Sequence, residues 1–256
     1  LGDGVEDVIK RISAAWTGPT GPKLRLLPAR ISLEEVRSMA PADDRRLLVG
    51  VDERELAAVG LDVDTEPHLL VFGDGQSGKS SVLRAYAHEV MRTHTPQEAQ
   101  LVVVDYRRSL LGEVPEEYLV NYLTSATQAQ PALRDLASYL EGRIPGPDVT
   151  PDQLRNRSWW SGAEVFVLVD DYDLVATQQS SPVAALAPLL PQARDVGLHV
   201  VVARRSGGAS RALYEPVIQS LRDLAMPGLL LSGSPDEGPL LGTQKPQPAP
   251  PGRGRG

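Results

Sequence analysis

Apolar residues along this chain fall into two recurring spacings, and each predicts a different kind of element. Helical spacing occurs at Val5, Val8, Ile9, Ile12 and Trp16, until Gly18-Pro19 and Gly21-Pro22 break it. It returns at Val82, Leu83, Tyr86, Ala87, Val90 and Met91, predicting a helix from Lys79 to Thr93 with one face in a core. Leu133, Leu136, Ala137 and Leu140 mark another, ended by Pro145-Gly146-Pro147, and helices are expected over Val183 to Arg194 and over Ser210 to Leu224, the latter kinked at Pro216. The second spacing is none at all: short, near-continuous apolar runs at Pro67–Phe72, Leu101–Val104, Val165–Val169, Gly197–Arg205 and Leu229–Leu231. Such runs are what strands buried on both faces of a parallel sheet require. Five of them alternating with helices predict a doubly wound, mainly parallel α/β sheet.

The remaining pattern is peripheral. Lys23 to Ile31 predicts a strand interrupted at Pro28, and Leu47 to Val63 alternates enough for a hairpin around Asp52-Glu53-Arg54. Ser32-Leu33-Glu34-Glu35 and Thr150-Pro151-Asp152-Gln153 are capping boxes, the second with proline at the first helical position. Tyr118 to Leu123 is a short apolar piece. The chain after Leu241 is rich in Pro, Gln and Gly without periodicity, and is expected to be extended or disordered. The expected organisation is a flanking segment packed on the core (1–66), the core (67–242) and a Pro/Gly-rich tail (243–256).

Composition narrows the class. With 41% hydrophobic and 23% charged residues over 256 positions, a sizeable core is available. No run approaches the ~20 apolar residues of a membrane span, no signal-peptide pattern is present, and the absence of cysteine excludes disulfides and thiolate metal sites. A net charge of -7 does not favour duplex DNA as the main partner. The chain opens at Leu1 rather than Met and closes in Pro250-Pro251-Gly252-Arg253-Gly254-Arg255-Gly256, which suggests an excerpt from a longer protein.

Candidate chemistry enters at Gly73-Asp74-Gly75-Gln76-Ser77-Gly78-Lys79-Ser80, a G-x-x-x-x-G-K-S pattern set between a strand run and an amphipathic helix. Its glycines let consecutive backbone N–H groups turn toward one anion at a helix N-terminus. Lys79 supplies a mobile point charge to the terminal phosphates, and Ser80 a hydroxyl for a magnesium ion between them. The predicted ligand is ATP with Mg2+, held by the backbone from Gly73 to Ser81. The second signature is Val165-Phe166-Val167-Leu168-Val169-Asp170-Asp171, a buried strand delivering two carboxylates to the sheet edge where open α/β folds bind ligands. Asp170 is the expected metal residue and Asp171 the expected acid that polarises the attacking water. With the acidic motif on the third strand and another strand before the last, a RecA-like P-loop NTPase core in the order 5-1-4-3-2 is expected. His68, His88, His94 and His199 show no ligand spacing, and Trp159-Trp160 reads as a loop anchor rather than a base-stacking platform.

Three stretches together resemble the FtsK/SpoIIIE family of P-loop motor ATPases: Gly73 to Ser80, Val165 to Asp171, and Ala193-Arg194-Asp195-Val196-Gly197-Leu198-His199-Val200-Val201-Val202-Ala203. Within that family the chain is most similar to the last of the tandem ATPase domains of the EccC proteins of type VII (ESX) secretion. Pro22 to Pro28, Arg204-Arg205-Ser206-Gly207-Gly208, Gly233 to Gly242 and Pro250 to Gly254 carry this likeness. The resemblance implies the cytoplasmic ATPase module of a machine anchored in the inner membrane by upstream segments. It also implies neighbouring ATPase domains of the same or a sister chain, ring assembly, and recognition of WXG100-type secreted proteins through a C-terminal signal.

Two departures from the family pattern bear on turnover. The acid after the metal residue, commonly Glu, is Asp171, one methylene shorter, and the polar sensor position, usually Gln, falls at Arg204 or Arg205. Nucleotide binding survives these changes more easily than hydrolysis, so slow turnover is expected. Two alternatives stand beside the secretion reading: a DNA translocase, disfavoured by the acidic balance and by the lack of a winged-helix module, and a nucleotide-holding platform for signal peptides that barely hydrolyses.

Overall fold

In the computed structural model, which describes residues 2–18, 21, 26–177 and 181–256, six strands form one parallel sheet. Helix α1 (Gly2–Ala15) comes first, with Val5, Val8, Ile9, Ile12 and Trp16 between 51 and 63% exposed. Residues 23–25 of the strand expected at Lys23–Ile31 lie outside the described residues, and from Leu26 to Ile31 there is no strand. Pro28 has no N–H to give a ladder, and the carbonyls of Leu27 and Pro28 accept instead from the Arg253 guanidinium. Ser32 then caps α2 (Leu33–Ser38) through the reciprocal bonds of a capping box. The hairpin is β1 (Leu47–Val51) and β2 (Ala58–Leu61), and its turn is organised by the Asp52 carboxylate, which accepts the N–H groups of Arg54, Glu55 and Ala57.

The main sheet begins with β3 (His68–Phe72), followed by α3 (Lys79–Thr93), β4 (Ala99–Val104), β5 (Leu119–Leu123) and α4 (Ala126–Glu141). Next come α5 (Pro151–Asn156), β6 (Glu164–Val169), α6 (Tyr172–Val175), a 3-10 helix (Pro182–Gln192) and α7 (Ala193–Val196). β7 (Leu198–Arg204), α8 (Ala209–Ala212), α9 (Pro216–Asp223) and β8 (Gly228–Leu230) complete it. The spatial order is β5-β4-β6-β7-β3-β8. Counted over the five expected strands this is the 5-1-4-3-2 order, and the piece at 118–123 adds a sixth strand at the edge beside β4.

The continuous apolar runs resolve into two faces with the strand period of two. Leu70, Phe72, Val102, Val104, Val165, Val167, Val169, Val200 and Val202 face α4, the 3-10 helix and α9. Leu69, Val71, Leu101, Val103, Phe166, Leu168, Val201 and Ala203 face α3 and the hairpin. The hairpin is clipped to α3 by Glu89, fully buried between Arg37 (2.6 Å) and Arg92 (2.6 Å) and accepting the Leu48 N–H at 3.1 Å.

Two of the helix expectations are corrected here. The helix expected over Val183–Arg194 is 3-10 up to Gln192 and α only from Ala193. Pro188 and Pro191 remove two amide donors and clash with the preceding turn of an α-helix, and the buried Val183, Leu186 and Leu189 repeat every three residues, the period at which a 3-10 helix stacks its side chains. The segment from Ser210 to Leu224 is two helices, with Pro216 opening the second instead of kinking one. The tail is extended and held in place: Arg255 bridges Leu230, Gln247 bridges Ser232, and Gly252 N–H donates to Ser77 O at 2.8 Å.

Candidate functional site

The phosphate-loop candidate leaves β3 at Phe72 and is fastened to both neighbouring strands. Gly73 N–H donates to Arg204 O at 3.1 Å and Asp74 N–H to Ser232 O at 2.7 Å. Gln76 and Gly78 take positive φ, 60° and 112°, and Gly78 delivers the chain into the first turn of α3. A side chain at Gly78 would be strained there and would press on the tail, 3.2 Å from Gly252 N. The Lys79 side chain is buried within the loop, its ammonium donating to Asp74 O at 3.1 Å. Ser77 Oγ is buried without a protein partner, a polar atom left over inside the loop. Gly75 and Ser81 are exposed.

Ninety positions downstream, β6 brings Asp170 to the same edge. Ser80 Oγ donates to Asp170 Oδ2 at 2.6 Å, and Asp170 N–H donates to Val104 O at 3.0 Å. Burial pushes the Asp170 carboxyl above its ordinary range, the bond from Ser80 opposes this, and the charges of Asp171 and Asp105 add to it. A carboxylate whose charge is disfavoured by burial and by two further carboxylates nearby is one that a cation would relieve. No group of three or more His, Cys, Asp or Glu able to hold a metal occurs among the described residues. Mg2+ does not need one, since it takes one or two protein oxygens and fills its octahedron with water and phosphate. Ser80 and Asp170 are hard oxygen donors set side by side, and they fit that role.

Asp171 stands apart from the loop. Its backbone is left-handed (φ 45°), its N–H donates to Asp170 Oδ1 at 3.0 Å, and its carboxylate meets Arg107 Nε at 3.1 Å. Periodicity gave no sign of Arg107, which follows β4 in a loop. The expected sensor position, Arg204 or Arg205, falls at the end of β7. Arg204 turns its guanidinium to Arg205 O (2.8 Å), and Arg205 N–H goes to Asp173. It is the fully buried Ser206 whose hydroxyl donates to Asp74 Oδ1 in the loop. Glu237, within the Gly233–Gly242 stretch, steadies this region by accepting from Gly208 N–H and Ser210 Oγ.

Beside the loop lies a cleft of about 490 Å³. Its walls include Ile31, Val49, Val82 and Ala85, together with Gly78 and the tail residues Pro251 and Gly252. Mostly apolar walls of this size next to a phosphate loop suit a flat heterocycle. The histidines are occupied structurally: His68 bonds Leu190 O and Val200 N–H, His199 bonds Glu164, His88 pairs Glu113, and His94 meets Thr93. Trp159 and Trp160 are anchors, donating to Arg143 O (2.6 Å) and Asp195 O (2.7 Å), with the Arg143 guanidinium over the Trp160 ring.

Comparison with known proteins agrees with this geometry. A model of the FtsK/SpoIIIE family matches residues 41–145. The ESX secretion system protein EccC of Thermomonospora curvata is 48% identical over 254 residues, 99% of this chain and 19% of the relative. EccC4 of the Mycobacterium tuberculosis ESX-4 secretion system is 49% identical over 239 residues, 92% of this chain and again 19% of the relative. The solved cytoplasmic domain of the T. curvata type VII secretion ATPase EccC superposes with a TM-score of 0.89 at 47% identity, covering 98% of this chain and 29% of that one. A structure of ATPases 2 and 3 of the same EccC in complex with a signal sequence peptide superposes at 0.86 and 47% identity, covering 98% and 45%. This chain thus spans about a fifth of the length of these relatives. It is an α/β P-loop domain that belongs to the FtsK/SpoIIIE family, in the EccC branch of type VII secretion.

Proposed function

We propose that this domain binds Mg-ATP, hydrolyses it slowly, and serves as an ATPase module of a type VII secretion machine that engages the C-terminal signal of WXG100-type proteins. The observation that carries the nucleotide reading is the 2.6 Å contact between Ser80 Oγ and Asp170 Oδ2, which joins the end of the phosphate loop to the end of β6 where a phosphate-bound magnesium ion belongs. Lys79 and the loop N–H groups face the phosphates, and the cleft lined by Val82, Ala85 and Pro251 takes the base.

In hydrolysis a water oxygen bonds to the γ-phosphorus while the bond to the β,γ-bridging oxygen breaks, and ADP leaves with that electron pair. Asp171 orients the water through the hydrogen bond that its carboxylate accepts, and the displaced proton passes to phosphate or to Asp171. The short acid, and an arginine finger that in P-loop enzymes is worth ~10³ to 10⁵ in rate and is often supplied in trans, support slow turnover.

The peptide reading is supported by the relative whose structure was solved in complex with a signal sequence peptide. No helix among the described residues is long and apolar enough to cross a membrane, and we place the domain on the cytoplasmic side of the membrane complex, beside sister ATPase domains and within a ring.

Calorimetric titration tests the nucleotide reading: wild type binds Mg-ATP, and Lys79→Ala loses affinity well beyond the ~1 kcal/mol of an ordinary hydrogen bond, since a charge-assisted contact is removed. Matching titration curves would sink it. For the peptide, anisotropy with a labelled WXG100 C-terminal helix should show binding that disappears when its apolar anchors at i, i+3 and i+4 become Ala.

A further inference from the structure

We propose that Arg107 is a positioning residue that restrains Asp171 and thereby slows hydrolysis, an inference that rests on the hydrolytic reading above. Strands β4 and β6 pair in register, Val104 opposite Val169, so the loops leaving them emerge side by side at the phosphate edge. The first loop is wound round the buried Asp105 carboxylate, which accepts the N–H of Arg107 (3.1 Å), the N–H of Leu110 (2.7 Å) and the Tyr122 hydroxyl (2.7 Å). This fixes the point from which the Arg107 side chain departs, and its Nε reaches Asp171 Oδ2 at 3.1 Å. Asp171 is held from its other side as well, by its left-handed backbone and its N–H bond to Asp170.

The consequence is chemical. A carboxylate orients water by accepting its hydrogen bonds, and a guanidinium on one oxygen competes for those lone pairs and draws negative charge away from the water. The two partners differ in freedom: the Asp171 side chain is 14% exposed and that of Arg107 is 59% exposed. The arginine can leave the pair for solvent, whereas the acid stays where it is. Removing Arg107 therefore releases Asp171 without opening the core, because a pair this exposed contributes little to stability.

The experiment is a double-mutant cycle on the whole chain, with steady-state ATP hydrolysis and Mg-ATP titration for wild type, Arg107→Ala, Arg107→Lys, Asp171→Asn and the Arg107→Ala/Asp171→Asn pair. Arg107→Ala is expected to raise kcat about tenfold, well inside the ~10²-fold by which misplaced catalytic groups are felt, with KM and nucleotide affinity unchanged. Arg107→Lys keeps a cation at the acid and stays slow, and the double variant is as slow as Asp171→Asn alone, since the gain requires the carboxylate. The proposal is overturned if Arg107→Ala binds nucleotide normally but turns over no faster than wild type, or if its gain survives in the double variant. Wild type that fails to bind Mg-ATP overturns the nucleotide reading, and this inference with it.

Discussion

Gly73 has the least room for a side chain of the three glycines in the phosphate loop. A methyl on its Cα would fall inside contact distance of Ser77 Oγ and lie 2.9 Å from Leu231 Cβ. Turning the Ser77 hydroxyl aside would not suffice, because the Cβ atoms of Leu231 and Ser77 (3.2 Å) are fixed to their own backbone, so the backbone must give. Gly73→Ala should cost about 1–3 kcal/mol in urea unfolding, the usual range for overpacking, and should weaken Mg-ATP binding by more than the stability loss explains. Wild-type values for both would show that the loop yields freely. His68, buried at the start of β3, makes a different prediction. Its Nδ1 accepts the Val200 N–H at 3.0 Å, so the proton sits on Nε2, which donates to Leu190 O at 3.3 Å. Burial lowers its pKa from 6.5 to about 4, the Leu190 bond opposes this, and nearby His199 adds to it. As pH falls through 6.5 the unfolded imidazole takes up a proton that the folded one refuses until about 4. Stability is therefore lost across that window as pH falls, by up to about 3 kcal/mol. Unfolding free energies measured between about pH 7 and pH 4 should show that slope in wild type and lack it in His68→Asn.

Among the elements, the C-terminal strap and the hairpin clip differ in what they hold. The strap is tied by Gly252 N–H to Ser77 O, by Arg253 to the carbonyls of Leu27 and Pro28, and by the two bonds between Leu230 and Arg255. It packs against the phosphate loop and lines the cleft beside it. Deleting residues 249–256 should lower Mg-ATP affinity about tenfold, the equivalent of one or two net hydrogen bonds, as read by calorimetry; unchanged affinity would show that the strap is only a cover. The hairpin clip is electrostatic. Burial alone would raise the Glu89 carboxyl, but hydrogen bonds from Arg92, Arg37 and the Leu48 N–H outweigh it and leave it below its ordinary value. Its contribution is present above the ordinary value of 4.5 and lost as pH falls through the lower folded value. Glu89→Gln leaves two arginines competing for a neutral amide, and should destabilise the fold by about 3 kcal/mol.

The molecule as a whole is a sheet with two cores, and both terminate at the phosphate edge. The loop after β3 is hydrogen-bonded to β7 and to Ser232 just beyond β8, while Ser80 at the head of α3 is bonded to the end of β6. A ligand at that edge therefore touches elements from both layers, and its binding should stabilise the whole fold. At a hundredfold excess over Kd, mass action gives about 2.7 kcal/mol, seen as a rise in Tm with Mg-ATP. Lys79→Ala should abolish the rise while leaving the ligand-free Tm near wild type.

Local pattern was enough for five strands, the helix after the phosphate loop, both capping boxes and the hairpin, because each is written in neighbouring residues: β-branched runs, helical spacing, Ser or Thr three before Glu or Gln. The fingerprint from Gly73 to Ser80 and the two acids after Val169 were legible for the same reason, and strand order followed from where those acids fall in the chain. Residue identities do not encode which loops meet in space. Leu119–Leu123 could be a strand only because β4 had an open edge, and the exposed pair Val120 and Asn121 hides the alternation. The 3-10 helix arose where two prolines and a three-residue apolar repeat met a sheet face that could accept it. The partners Ser206–Asp74 and Arg107–Asp171 lie 132 and 64 positions apart, and the tail, with no apolar period of its own, owes its path to backbone hydrogen bonds. Such contacts are set by register and by where a parallel sheet sends its loops, and only the folded chain decides them.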